Sequence, residues 1–119
     1  MDKPKHSPLI MTLDILRHAS KASNARIWRS IAISLSSTRK RHAEINIGKI
    51  AKLAMSGAAV VIPGKVLGSG LLSHSLMVGA WSFSDTARKK ITDAGGKALT
   101  IADFVQEFPD GKGVVVLGG

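Results

Sequence analysis

Apolar residues recur every three or four positions in "SPLIMTLDILRHASKAS", placing Leu9, Leu13, Leu16, Ala19 and Ala22 on one side of a helix. Ser7 is suited to cap its start, and Pro8 suits the first turn, where a missing N–H is not felt. A second helical pattern follows in "ARIWRSIAISL", where Trp28, Ile31, Ala32 and Leu35 share a face. Asn24 is placed to cap it, and Arg26 and Arg29 fall off that face or at its edge. Trp28 has the chemistry to stack on a nucleobase, but its register with Ile31 and Ala32 assigns it to a core.

The period then changes. "GAAVVIPGKVLG" is a β-rich apolar run interrupted at Pro63-Gly64, which reads as strand, type II turn, strand, with Lys65 just past the turn tip. "SLMVGAWSF" alternates Leu76, Val78 and Ala80 with Met77, Gly79 and Trp81, as a strand does. In "SDTARKKITDAGG" Ser84 caps a helix and Asp85 suits its positive end. Arg88 to Lys90 approach its negative end, and Gly95-Gly96 permit a left-handed stop. "KALT" is a further strand, Thr100 caps "IADFVQEF", Pro109 and Gly111 end that helix, and "GVVVLGG" is expected as a buried strand. The expected fold class is α/β: a basic N-terminal helical region (1–44) followed by a compact domain (45–119) of short strands interleaved with short helices.

Charge sharpens this picture. The 119 residues carry 17 Lys and Arg against 8 Asp and Glu, a net +9. All of that excess lies in residues 1–65, where twelve bases face three acids, while residues 66–119 balance at five of each. Charge concentrated in this way suits a polyanionic partner; a solvated basic face without a ligand is the competing reading. The absence of cysteine excludes disulfides and the usual structural zinc sites, and an intracellular, cytoplasmic location is expected. Asp14 and Arg17 interrupt the first apolar stretch, and no charge-free run approaches 18 residues, so neither export nor membrane insertion is expected.

Catalytic chemistry leaves no comparable trace. His6, His18, His42 and His74 lack metal-ligand spacing, and "SHS" at Ser73 to Ser75 lies outside any nucleophile elbow. "GKVLGSG" resembles a phosphate loop superficially but lacks both nucleotide-binding glycine spacings. No cofactor or small-molecule substrate is expected.

Four ordered segments resemble the archaeal form of large-subunit ribosomal protein 18e, a family related to bacterial ribosomal protein 15. "RKRHAEINIGKI" is similar to the family signature, with Arg39, His42, Ala43, Ile45, Asn46, Ile47, Lys49 and Ile50 in matching kinds of position. "IPGKVLGSG", "FSDTARKKITDAGG" and "IWRSIA" resemble a turn after the first core strand, the next helix with its glycine pair, and the second N-terminal helix. The chain departs from the family pattern at Thr38, where Ser or Pro is usual, and at Ile33, where a charged residue is usual.

The resemblance implies a non-catalytic constituent of the large ribosomal subunit, monomeric within the ribosome, with an α/β core of irregular β-β-α turns. It further implies large-subunit rRNA and neighbouring ribosomal proteins as partners. A free-standing RNA chaperone or DNA-compacting protein shares the basic N-terminus, and an enzyme using "GKVLGSG" for a phosphate-bearing ligand is the third alternative. On the ribosomal reading Arg39, Lys40, Arg41 and His42 clamp rRNA phosphates while Ile45, Ile47 and Ile50 anchor the clamp to the core. The other candidate RNA-binding residues are Lys3, Lys5, Arg17, Lys21, Arg26, Arg29, Lys49, Lys52 and Lys65. With only 2 Trp, 3 Phe and no Tyr, recognition is expected to rest on backbone and shape more than on base stacking.

Overall fold

Every strand pairing among the described residues is parallel, which dictates how the rest of the chain is arranged. The computed structural model describes residues 7–118, except the side chain of Lys40. Helices α1 (Pro8–Ser23), α2 (Arg26–Ser36) and α3 (Thr38–Arg41) come first, followed by β1 (Glu44–Asn46) and α4 (Ile47–Leu53). Then come β2 (Ala59–Leu67), β3 (Met77–Phe83), α5 (Asp85–Asp93), β4 (Lys97–Thr100), α6 (Ile101–Glu107) and β5 (Val114–Val116). β2 is central, with β3 along one edge and β4 beyond it. Its other edge is shared end to end: β5 pairs with Ala59–Val61 and β1 with Lys65–Leu67.

A parallel sheet is covered on both faces, so its strands read as unbroken apolar runs. The two-residue alternation of strands still sorts them. Val60, Ile62, Val66, Val78 and Ala80 pack with Ile45, Ile47 and Ile50 and with Ala87 and Ile91 of α5. Val61 packs into a second cluster with Leu13 and Leu16 of α1, Trp28, Ile31 and Leu35 of α2, and Phe104 of α6. α1, α2 and α6 therefore cover one face, and α4 and α5 the other. The expected α/β architecture, with N-terminal helices followed by strands interleaved with short helices, is the one observed.

Trp28 is fully buried, as its register required. Its Nε1 donates to the Pro109 carbonyl at 2.8 Å, and its ring meets Phe104 edge to face at 6.3 Å. On the adjoining strand Gly79 leaves room for this aromatic pair, because a Cβ there would lie 2.6 Å from the Phe104 ring. The three hydroxyl caps form as expected: Ser7 Oγ accepts from Ile10 N, Ser84 Oγ from Ala87 N and Thr100 Oγ1 from Asp103 N, each at 3.1 Å.

Three expectations are corrected. Asn24 does not cap α2; it closes α1 in the left-handed region at φ 57°, and Ala25 precedes α2 without a side-chain cap. Asn is one of the few residues that tolerates that conformation, so an end signal for one helix was read as a start signal for the next. Pro63-Gly64 is not a turn, and Lys65 is not at a turn tip. β2 runs straight through both residues with one bulge against β3, taking three steps from Ile62 to Lys65 while β3 takes two from Ala80 to Ser82. Pairing along both edges of the strand overrides local turn chemistry, and proline's missing N–H is accommodated at the bulge. "GVVVLGG" is not a buried strand either. β5 pairs with β2 alone and leaves Val115 and Val116 exposed, because a short apolar run cannot distinguish an edge from a centre.

Thr100→Ala removes the α6 cap and is expected to lower stability by about 1 kcal/mol, measured by chemical denaturation.

Candidate nucleic-acid interface

α1 and α2 turn their apolar faces to the sheet and so turn their bases outward. The short connection at Asn24 and Ala25 lays the two helices side by side. A groove of about 440 Å³ opens on this side, lined by Arg17, Ser20 and Lys21 of α1 and by Arg29, Ala32, Ile33 and Ser36 of α2. Arg17 pairs with Asp14 at 3.6 Å, but both side chains are more than half exposed, so the pair is weak and exchangeable. No carboxylate among the described residues lies within ion-pairing distance of Lys21, Arg26 or Arg29. Arg26 stands in the first turn of α2, where the helix dipole opposes a cation, so its position has no local electrostatic benefit.

The signature segment is divided between surface and support. Arg39 and His42 are exposed. Arg41 is half-buried and turns back: its Nη1 donates to the Leu35 carbonyl at 2.6 Å and its Nη2 to Thr38 Oγ1 at 3.3 Å. It thus satisfies a carbonyl left open at the end of α2 and sits favourably at the negative end of the dipole. Lys65 is half-buried within β2, in register with Glu44 of β1, and its N–H donates to the Ala43 carbonyl at 2.8 Å. Ile45, Ile47 and Ile50 are all buried in one cluster, as the anchoring role required.

Lys49 and Lys52 lie on α4, on the other face of the sheet from α1 and α2. They border a second, wider concavity of about 700 Å³ with Gly48, Ser69, Gly70, Leu71 and His74. The N-terminal bases, read from sequence as one basic half, are therefore divided among the described residues into Arg17, Lys21 and Arg29 at one groove and Lys49 and Lys52 at another. Lys3 and Lys5 lie outside the described residues.

The sequence reading missed what Lys90 does. β2 and β3 are parallel with no helix between them, so residues 68–76 must run back along the sheet. They pass beside α4, where Gly48 N donates to the Ser69 carbonyl at 2.9 Å, Ser69 N to Asn46 Oδ1 at 3.3 Å and Gly57 N to the Ser75 carbonyl at 2.8 Å. Lys90 Nζ donates to the carbonyls of Gly68 and Gly70 at 2.6 and 2.7 Å, and His74 Nε2 meets the Ala54 carbonyl at 2.8 Å. Lys89 pairs with Asp93 at 3.1 Å, and the Arg88 guanidinium stands over the Phe83 ring at 5.1 Å. Each of these three bases has a particular partner beyond the dipole invoked for them. No periodicity signals a lysine bonded to backbone some twenty positions away.

Among the described residues no group of three or more acidic or histidine side chains could hold a metal ion, and no helix is long and apolar enough to cross a membrane.

Comparison with known proteins places the chain in a family. A family profile described as ribosomal protein 60S L18 and 50S L18e matches residues 3–119. The large ribosomal subunit protein eL18 of Methanoregula boonei is 40% identical over 114 residues, covering 96% of this chain and 92% of that protein. The eL18 of Methanopyrus kandleri is 43% identical over 107 residues, covering 86% and 84% of the two chains. The eL18 of Archaeoglobus fulgidus is 41% identical over 111 residues, covering 92% and 95%. With its basic outer helices, its buried signature anchor and matches that span nearly its whole length, the chain belongs to the ribosomal protein 60S L18 and 50S L18e family.

Proposed function

We infer that the protein is a structural component of the large ribosomal subunit that binds large-subunit rRNA through the outward cations of α1, α2 and α3. The observation that carries this reading is the α1–α2 groove, in which Arg17, Lys21 and Arg29 converge while the apolar faces of both helices are used in the core. Arg offers two parallel donors to a phosphate and Lys a compact point charge, so the set suits a sugar-phosphate backbone. Membership of a ribosomal family supports a structural, non-catalytic role. On the α4 side Leu53, Met55 and Leu71 are exposed at 56%, 83% and 86%, which supports contact with neighbouring subunit proteins there.

The bases divide by task. Arg39 and His42 face outward beside the groove-bearing helices and are assigned to RNA, whereas Arg41 is assigned to holding the end of α2.

Sedimentation of native extract should recover the protein with large subunits at both low and high salt; recovery only as free protein would sink the ribosomal assignment. If about six cations neutralise phosphates, log K against log salt should fall with a slope of about −4 to −5 for the purified chain on rRNA fragments. Arg39→Gln should weaken that binding without moving the melting temperature, since surface substitutions cost about 0.5 kcal/mol or less. Arg41→Ala should instead lower stability by about 1–2 kcal/mol through the lost charged hydrogen bonds, read by denaturant titration.

A further inference from the structure

We propose that the α1–α2 groove holds a single unpaired nucleotide of the RNA, its base on the Ile33–Ala32 floor and its flanking phosphates on Arg17, Lys21 and Arg29. This rests on the RNA-binding reading above and specifies what part of an RNA the groove takes. The first ground is shape. Duplex phosphates are met by cations on any exposed face, whereas these three stand around a concavity of about 440 Å³. That lies within the ~300–1,000 Å³ typical of pockets for small ligands.

The second ground is the chemistry of the floor. Ile33 is 64% exposed, yet it lies between cations and not on the helix face that meets the sheet. An ionised phosphate gains nothing from an apolar surface and loses hydration against it. A nucleobase has two apolar faces and gains by covering one, and an unpaired base can be splayed out to do so. Aromatic platforms are not available here, because Trp28, Phe104 and Phe108 pack together on the sheet side of the helices. An aliphatic floor is the surface this protein has to offer.

The third ground is the edge chemistry. Ser20 and Ser36 line the same groove. Ser36 Oγ donates to the Ala32 carbonyl at 2.9 Å, which leaves its lone pairs as acceptors for a base edge or a ribose hydroxyl. Because the Arg17–Asp14 pair is solvent-exposed, Arg17 can turn to a phosphate at little cost.

The test uses the full chain and two RNA hairpins of one stem sequence, one fully paired and one carrying a single unpaired 2-aminopurine. The bulged hairpin should bind at least about fivefold more tightly, as expected if one base face covers about 40 Å² of apolar surface. Ile33→Ser should bring the two affinities within about twofold of each other; as a change at an exposed position it should leave folding intact, checked by the melting temperature. Arg29→Gln should weaken both hairpins alike. Equal binding of both hairpins by the unchanged protein would overturn the nucleotide site and leave the phosphate clamp standing. Failure to bind either would overturn both.

Discussion

The basic signature segment is fixed to the core by a contact between two stretches of backbone. The Ala43 carbonyl accepts from Lys65 N at 2.8 Å, and a Cβ on Gly64 would lie 2.4 Å from that same oxygen. Only glycine lets the chain between α3 and β1 approach the central strand this closely. From that point β1 extends the pairing to Leu67, and α4 turns Ile47 and Ile50 into the core. Upstream, Arg41 ties the same segment to the end of α2. The cations of α3 are thus held between two rigid elements, although α3 itself is a single turn. A segment held in this way would meet a polyanion with little ordering left to undergo, unlike a basic arm that orders only on binding.

Much of this architecture was legible in the sequence, for reasons that differ by element. The spacing of Leu13 and Leu16, and of Trp28, Ile31 and Leu35, reports directly which face meets the sheet, because burial and the helical period are one constraint. Ser7, Ser84 and Thr100 were readable because a cap is made within three residues. Pro63-Gly64 misled because its meaning is not local. The pair is a turn in isolation and a bulge when β3 lies along one side and β1 and β5 along the other. Asn24 misled because the same residue type favours the start of a helix and, in the left-handed region, the end of one.

The candidate interface was legible in part. One-sided charge pointed to a polyanionic partner, and composition was sufficient for that expectation. Composition could not divide the bases between the two covered faces of a sheet, separating Arg17, Lys21 and Arg29 from Lys49 and Lys52. Nor could it show that a base in the middle of the signature has its guanidinium turned toward its own backbone. Ile33 stands where a charged residue is usual in the family, and only the packing of α1 beside α2 places it in the lining of a groove.

The hydrogen bond from Trp28 to Pro109 joins residues 81 positions apart, and β5, the last strand, completes the edge of β2 that the first strand began. Closure across such separations is made late in folding, since each distant contact must first offset the chain entropy it removes. As the polypeptide is synthesised, α1 and α2 emerge well before the acceptor for Trp28, 81 positions on, and before the Phe104 ring beside it. The outer helices of the groove are therefore synthesised well before the distant contacts that fix α2 to the rest of the core.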